Sequence, residues 1–500
     1  MAQAEAAPKT FQLLETTIAD VHAAFAAGEL TARQLVEMYL ERIEAYDRNG
    51  PKINSIISVS PTALAEADAL DAAYRASGPV GPLHGIPIIL KDQMDAKGMP
   101  TTLGSALFKD FYPDRDSTVT ARLKDAGAII LAKATLGELG GGDTHGTLFG
   151  STRNPYDPER TVGGSSGGSS AAASANFSTV CIGQEGFASI RRPSAWNSIV
   201  GMRPTAGLVS RGHVYAGWPS RNGSLGPMCR TVTDLAVLLD VMVGYDPLDP
   251  ITAHGVGHKP ASYQAFLEAD GLRGARIGII REPMGEGTDT AAEDYQQIDA
   301  VFAKAVADLA AAGATIVDPV SIPGLQDLIA KRAGDGSDDS YLEYMQGIPN
   351  PPFATPTDMK AHPEYGNILR FKRSGSTAAT AGGTGRQAFA EYQLAREELM
   401  TRLLKVMADN ELDAIVHKTV EHAPTLISEG VNPPYVNHKG APHLNTFLIY
   451  VPSITVPAGF TAAGLPAGIT FLGRPYSDAS MVRFAYAYEQ ATMNRVPPAL

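Results

Sequence analysis

Beyond about residue 81 the chain alternates short apolar runs with amphipathic stretches, and this rhythm constrains the fold more than any other feature. The runs at 86–90 and 128–132 are short and apolar, which is typical of buried strands. The stretches at 117–125 and 231–243 show helical spacing of their apolar residues. Alternation at this spacing predicts an α/β fold, with a large, mixed, mostly parallel β-sheet covered on both faces by α-helices.

The first 80 residues have a different pattern, in which helix follows helix. Residues 17–25 and 31–43 place their apolar side chains on one face, and 61–76 is an Ala-rich stretch that suits a surface helix. We therefore predict that residues 1–80 form N-terminal helices.

Residues 319–385 break the alternation. They contain Pro349-Asn-Pro-Pro and, well separated from it, a run at 374–385 rich in Gly, Ser, Thr and Ala. A long irregular stretch inside an enzyme is either a wall over a site or a disordered excursion. We expect a wall over the substrate pocket, within a single domain spanning 1–500 whose chemical core lies at 81–245.

Composition excludes several classes of protein. The 41 basic and 53 acidic residues give a net charge of −12, which argues against a nucleic-acid or anionic-membrane surface. Cys181 and Cys229 are too few for a disulfide scaffold, and we expect both to be buried. The sequence contains no apolar run of about 18 residues, so we expect no membrane span. The N-terminus lacks the apolar stretch of a secretion signal. We expect a cytoplasmic monomer or homodimer, unless an export signal has been removed.

The most unusual segment is a Gly/Ser run that begins Val162-Gly-Gly-Ser-Ser-Gly-Gly. A flexible linker is one interpretation, but the run leads into an Ala-rich helix away from any domain boundary. A phosphate-binding loop is a second, but the Gly-Lys-Ser/Thr ending is missing. The match to Gly-x-Ser-x-Gly at 163–167 suggests a nucleophile elbow, but residues 154–160 before it are turn-like rather than a strand. A second serine, Ser189, lies in a tight turn after the apolar run 179–183.

Three segments together resemble the amidase signature family. They are Lys91 after an apolar strand, Gly-Gly-Ser-Ser-Gly-Gly at 163–168, and Ser189-Ile-Arg-Arg-Pro. The family shows the same separation between its two serines as the 24 residues from Ser165 to Ser189 here. Further landmarks extend the resemblance over roughly residues 15–495, and it implies the amidase signature fold.

The resemblance implies a serine hydrolase in which Ser189 is the nucleophile, Ser165 the relay and Lys91 the general base, with no metal or other cofactor. It also implies a cis peptide bond before Ser165. A lysine accepts a proton only when it is neutral, and burial favours the neutral amine by lowering its pKa. The oxyanion of the tetrahedral intermediate would bind backbone N–H groups of the nucleophile turn: Gly186, Phe187, Ala188 and Ser189.

The nucleophile turn departs from the family, which usually has an Asp-Gly-Gly-Ser or Asp-Gly-Ser ending. Glu185 stands where an acidic partner of Arg191 is usual, and we expect this pair and Ser166 to support the turn. A positive φ at Phe187 or Ala188 would cost more than at glycine. We expect Phe187 to lean into the acyl pocket and narrow it. The predicted substrate-binding residues are Gly140, Gly141, Gly142, Asp143, Thr144 and Phe187.

The expected reaction is hydrolysis of a C–N bond in a small amide or carbamate, as in aryl acylamidases and urethanases of this family. The alternatives are a peptide or fatty-acid amide amidase and, less favoured, a glutamyl-tRNA amidotransferase-like subunit. Two further alternatives remain: a non-catalytic small-molecule binding protein on the same fold, and a metal hydrolase. His417, His422 and His443 are too scattered to form a metal-hydrolase motif.

Overall fold

The computed structural model describes residues 11–215, 223–333, 339–369, 372 and 386–500. Within these ranges eleven strands form one sheet in the order β1-β3-β2-β8-β10-β9-β14-β15-β13-β11-β12, and two short hairpins lie outside it. The strands are β1 (Ile56–Val59), β2 (Pro87–Lys91), β3 (Ile129–Ala134), β4 (His145–Gly146), β5 (Gly150–Ser151), β6 (Arg153–Asn154), β7 (Asp157–Thr161), β8 (Val180–Glu185), β9 (Val200–Arg203), β10 (Ser224–Cys229), β11 (Arg276–Ile279), β12 (Thr315–Val317), β13 (Ala414–Lys418), β14 (Ser453–Phe460) and β15 (Pro466–Leu472).

The sheet is mixed. Strands β3, β2 and β8 pair in parallel on one side, and β13, β11 and β12 do so on the other. The strands between these two groups, and the edge strand β1, pair antiparallel. The predicted α/β fold, a large mixed sheet combined with helices, is confirmed.

Helices cover this sheet, and five of the described α-helices begin at a Ser or Thr that caps the first turn. Thr17 and Thr31 cap the first two helices with reciprocal side-chain and backbone hydrogen bonds. Among the described residues, every helix is too short or too polar to cross a lipid bilayer. The α-helices are α1 (Ile18–Ala27), α2 (Ala32–Arg42), α3 (Ala63–Ser77), α4 (Thr118–Asp125), α5 (Gly167–Ser174), α6 (Arg191–Trp196), α7 (Val232–Met242), α8 (Glu293–Ala311), α9 (Leu325–Ile329), α10 (Asp339–Met345), α11 (Pro356–Ala361), α12 (Arg386–Asp409), α13 (Ile427–Val431), α14 (Leu444–Phe447) and α15 (Asp478–Thr492).

Three features differ from the sequence predictions. Residues 154–160, interpreted as turn-like, include most of strand β7, which pairs with β6 in a hairpin outside the main sheet. The N-terminal region contains the edge strand β1 between its second and third helices, because the chain pairs antiparallel with β3 there. The segment 319–385, predicted to be irregular, contains the short helices α9, α10 and α11 in its described part. The Gly/Ser/Thr-rich run at 374–385 lies outside the described residues.

The sheet brings the predicted catalytic segments together at the carboxyl ends of two neighbouring strands. Strand β2 ends at Lys91, and its parallel neighbour β8 ends at Glu185, just before the nucleophile turn. Helix α5 begins immediately after residues 163–166, which we call the serine loop, and all of its residues are buried. Its side chains are Gly, Ser and Ala because larger ones would collide: a Cβ on Gly168 would lie 2.3 Å from the Thr135 carbonyl oxygen.

We predict that Gly226→Ala in β10 destabilises the fold. An added Cβ would lie 1.9 Å from the Met202 carbonyl oxygen on the neighbouring strand, so the backbone must move. Overpacking of this kind costs about 1–3 kcal/mol, and the urea unfolding midpoint should fall. Gly366→Ala is the control, because nothing lies within 4 Å of its added Cβ. Equal midpoints for the two variants would contradict the packing described here.

Candidate active site

Three side chains from separate segments form one continuous hydrogen-bonded line. The Lys91 Nζ lies 2.7 Å from the Ser165 Oγ, and the Ser165 Oγ lies 3.0 Å from the Ser189 Oγ. Lys91 and Ser165 are fully buried. The structure therefore brings together the three residues that the sequence predicts to be catalytic.

Lys91 has no carboxylate within ion-pair distance among the described residues, although two acidic residues follow it closely in sequence. Asp92 pairs with Lys133 at 2.8 Å, and Asp95 pairs with Arg115 at 2.8 Å. The other hydrogen bond of the Lys91 amine goes to the backbone carbonyl of Gln184, at 3.3 Å. Lys91 is therefore not a surface lysine that forms an ion pair with Asp92 or Asp95.

The surroundings of Lys91 favour its neutral form. Burial lowers the pKa of Lys91 well below that of a lysine in water, and the negative charge of Glu185 opposes this only in part. A neutral amine has a lone pair that can accept a proton from a hydroxyl group. The geometry and the charge state together suit Lys91 to act as a base toward Ser165.

The serine loop is held against the nucleophile turn by its backbone. The peptide bond between Gly164 and Ser165 is cis, as the resemblance implies. Ser166 donates its backbone N–H to the Ser189 carbonyl at 3.0 Å, and its hydroxyl donates to the Gln184 carbonyl at 3.1 Å. Gly164 permits the approach of the neighbouring loop, since a Cβ there would lie 2.3 Å from the Gly142 carbonyl oxygen. Ser166 thus ties the loop to both β8 and the turn.

Glu185 organises the turn that carries Ser189. One carboxylate oxygen accepts the N–H groups of Ile190 and Arg191, at 2.8 and 2.9 Å, and the other accepts the Arg191 guanidinium at 2.6 Å. A second cation, Arg203, lies 3.5 Å away. Burial acts to raise the pKa of Glu185, but the charges of Arg191 and Arg203 outweigh it and hold that pKa below its ordinary value. The ionised carboxylate, which lies before the turn in sequence, therefore binds the backbone directly after Ser189.

The backbone of the nucleophile turn has no left-handed residue at Phe187 or Ala188. Phe187 and Ala188 do not have positive φ angles, so replacing the family's glycines carries no left-handed penalty here. Among the described residues, the N–H groups of Phe187, Ala188 and Ser189 have no hydrogen-bond partner. Together with Gly186, which directly follows β8, they remain the predicted donors to an oxyanion.

Phe187 does not project into open space. Its side chain is 7% exposed and packs with Ala188 and Ala441. The Arg332 guanidinium lies over its ring, 4.3 Å from the centroid. The prediction that Phe187 narrows the acyl pocket stays a prediction, but the ring is already held by protein neighbours.

The loop at 140–144 packs against the serine loop, and its polar side chains make internal contacts. Asp143 forms a buried ion pair with Arg192 at 2.5 Å, and the Thr144 hydroxyl donates to the Gly163 carbonyl at 2.7 Å. Arg192 also donates to the Gly164 carbonyl at 2.9 Å. The side chains of Asp143 and Thr144 therefore brace the serine loop, and the substrate contacts predicted for this loop, Gly140, Gly141 and Gly142 included, stay predictions.

The three histidines considered for a metal site face different partners. His417 hydrogen-bonds the Lys418 carbonyl, His422 pairs with Asp294, and His443 faces Glu286. In the described parts of the chain, no cluster of three or more His, Cys, Asp or Glu side chains could hold a metal ion.

Comparison with known proteins identifies the family. The family model described as Amidase matches residues 34–482. This chain belongs to the amidase family. It is an amide hydrolase, acting on C–N amide bonds, with the architecture that the solved members share.

Individual relatives cover nearly the whole of this amidase. A probable amidase of Arabidopsis thaliana is 32% identical, over 98% of this chain and 92% of its own. A glutamyl-tRNA(Gln) amidotransferase subunit of Geobacter metallireducens is 33% identical, over 96% of this chain and 98% of its own. The native peptide amidase of Stenotrophomonas maltophilia superposes with a TM-score of 0.79 at 32% identity, covering 98% of this chain and 99% of that one.

A solved bacterial aryl acylamidase is more distant. It superposes with a TM-score of 0.76 at 24% identity, covering 95% of this chain and 96% of that one. At this identity the likeness shows the shared fold and says nothing about a shared substrate.

We predict that Glu185→Gln weakens the fold and moves the pH dependence of catalysis. Removing one partner of a buried ion pair costs about 3–5 kcal/mol, so the urea midpoint should fall. The charge of Glu185 raises the pKa of Lys91. Its loss lowers that pKa further, and the inflection of kcat/KM against pH should move to lower pH. Glu37→Gln, in a half-exposed surface pair, should change neither measurement. An inflection that moves to higher pH would contradict this electrostatic role.

Proposed function

We propose that this amidase hydrolyses a linear amide or carbamate through an acyl-enzyme on Ser189, with Ser165 as relay and Lys91 as general base. The observation that carries the proposal is the buried line of contacts from the Lys91 amine through the Ser165 hydroxyl to the Ser189 hydroxyl, at 2.7 and 3.0 Å. A serine hydroxyl needs a base to become an effective nucleophile, and this line supplies one.

The proton path follows from the charge state of Lys91. With a neutral amine, the Ser165 hydroxyl donates to the Lys91 lone pair, and the Ser189 hydroxyl donates to Ser165. As the Ser189 oxygen attacks the substrate carbonyl carbon, its proton moves to Ser165 and the Ser165 proton moves to Lys91. The two heavy-atom distances already lie within hydrogen-bonding range, so the transfer requires no rearrangement of these side chains.

The remaining steps use the turn and the same proton path in reverse. The carbonyl oxygen becomes an oxyanion and accepts hydrogen bonds from the N–H groups of the 186–189 turn, each of which is worth roughly 3 kcal/mol. The leaving nitrogen takes a proton back from the Lys91–Ser165 pair as the C–N bond breaks. Water then attacks the acyl group on Ser189, losing its proton toward Lys91. As the bond from the acyl carbon to the Ser189 oxygen breaks, that proton returns through Ser165 to Ser189, and the acid product leaves.

A small uncharged amide or carbamate is our first candidate substrate, on the family resemblance. A peptide amide is the second candidate, and the specific observation in its favour is the 32% identity and near-complete coverage with the Stenotrophomonas peptide amidase. Identity at a similar level to amidotransferase subunits makes ammonia transfer with partner chains a third possibility to be tested.

We predict that Ser189→Ala removes hydrolysis. Wild type should cleave at least one member of a panel of p-nitroacetanilide, a peptide amide, an aryl carbamate and a long-chain amide. The variant should lose at least about 10³-fold in kcat, and mass spectrometry of quenched wild type should find the acyl group on the Ser189 peptide. Ser169→Ala is the matched control, because the Ser169 hydroxyl is buried nearby and bonds the Ile182 carbonyl. Undiminished hydrolysis by Ser189→Ala would overturn the proposal.

We predict that kcat/KM rises with pH to a plateau. Burial lowers the pKa of Lys91, and the active form is the neutral amine, so activity is lost as pH falls below that pKa and is retained above it. Lys91→Arg should be inactive at every pH tested, because a guanidinium stays protonated in proteins. Stopped assays of both proteins from pH 5 to 10 check this, and a wild-type maximum near pH 5 would contradict it.

A further inference from the structure

Phe187 occupies the nucleophile turn, two residues before Ser189, where the family resemblance leads one to expect glycine. Its ring is almost fully buried, at 7% exposure, and is packed against Ala188 and Ala441. An aromatic ring held on this turn also constrains the backbone N–H groups beside it.

Three nitrogen-bearing side chains surround the Phe187 ring. Arg332 covers one face, with its guanidinium carbon 4.3 Å from the ring centroid. His438 and His443 approach edge to face, with centroids 5.4 and 5.9 Å away and interplanar angles of 79° and 62°. Both arrangements are attractive, because the ring face is electron-rich and cations and ring edges are electron-poor.

One carboxylate oxygen faces all three of these side chains. The Oε2 of Glu286 lies 3.4 Å from the His443 Nε2, 3.8 Å from an Arg332 nitrogen and 3.9 Å from the His438 Nδ1. Burial acts to raise the pKa of Glu286, but the hydrogen bond from His443 and the charge of Arg332 outweigh it and hold the pKa below its ordinary value. Glu286 is therefore ionised and links the three groups around Phe187. We call these four side chains, Glu286, Arg332, His438 and His443, the Phe187 cage.

The cage is anchored by backbone hydrogen bonds between two loops. Glu286 donates its N–H to the Ala441 carbonyl at 3.1 Å, and its own carbonyl accepts the Gly440 N–H at 2.7 Å. In the same loop, Asn437 accepts the Asp143 N–H at 2.9 Å. The segment 437–443 thus contacts both the loop that braces the serine loop and the ring on the nucleophile turn.

We infer that Phe187 is a positioning residue for catalysis, and that the cage, by fixing its ring, aims the N–H groups of residues 187–189 at the oxyanion. The inference rests on the proposed function, since it assigns these N–H groups the oxyanion. It differs from a role in substrate selection, because the ring contacts the cage rather than lying open to substrate. Small displacements of groups around a reacting atom can cost about 10²-fold in rate.

The first test is Phe187→Ala, assayed on whichever panel substrate the wild type hydrolyses best. We expect kcat to fall about 10- to 100-fold with KM changed less than about threefold, and Phe187→Leu to recover part of the loss by restoring bulk. The same variants are titrated with an aldehyde analogue of the substrate, whose adduct on Ser189 carries an oxyanion, and with the acid product. Affinity for the aldehyde should fall in parallel with kcat, and affinity for the product should not.

The second test leaves the turn itself unchanged. Glu286→Gln removes the charge that links the cage, and we expect a smaller loss in kcat and in aldehyde affinity, about 3- to 10-fold, in the same direction. Glu282→Gln is the matched control: it lies four residues earlier and bonds Gln326, outside the cage. Glu286→Gln keeps the inference testable if Phe187→Ala fails to fold.

The outcomes separate this inference from the proposed function. If the wild type cleaves no panel substrate and a fluorophosphonate does not label Ser189, the proposed function fails. If the wild type is active but Phe187→Ala and Glu286→Gln both keep the wild-type kcat and aldehyde affinity, the positioning role is overturned and the proposed function stands. A rise in KM with unchanged kcat would also overturn it, since that result marks Phe187 as a substrate contact.

Discussion

Lys91 is a fully buried amine whose partners are a hydroxyl and a backbone carbonyl, and the rest of the site depends on this. A buried ammonium without a carboxylate partner is costly, so the group is held neutral instead. Lys133 is a buried lysine that does have a carboxylate partner. Lys133 is equally buried on the adjacent strand β3, yet it pairs with Asp92, the residue next to Lys91. Because Asp92 pairs with Lys133, Lys91 is left without a carboxylate partner, as the proposed base role requires.

Two buried ion pairs near the Lys91 amine hold two different segments in place. Glu185 and Arg191 hold the nucleophile turn, and Asp143 and Arg192 hold the serine loop. Pairs of this kind are weak evidence for stability, since desolvation offsets their attraction. They do fix geometry, because a carboxylate that accepts several N–H groups leaves the backbone few alternatives. The small residues of α5 then allow the serine loop to approach strands β2 and β8 closely enough for the three predicted catalytic side chains to meet.

The sequence was informative where function is encoded in local spacing. Lys91, Ser165 and Ser189 each sit in a motif with its own local pattern, and the parallel pairing of β2 and β8 follows from the alternation of strands and helices. The partners were not predictable in the same way. Asp143 with Arg192, and Phe187 with Arg332 and His438, join residues far apart in the chain and show no shared periodicity. Strand β1 was missed because pairing with β3 defines it.

The charge state of Lys91 in the resting enzyme is the central claim, and nuclear magnetic resonance can measure it without substrate. Protein labelled with ¹³C at the lysine Cε positions is titrated from pH 6 to 11, and the Lys91 signal is assigned by its loss in Lys91→Met. The account predicts a Lys91 signal that titrates well below the value of about 10.4 for a free lysine, and that shows a neutral amine at pH values where the exposed lysines are still charged. A Lys91 signal that titrates together with the exposed lysines would contradict it.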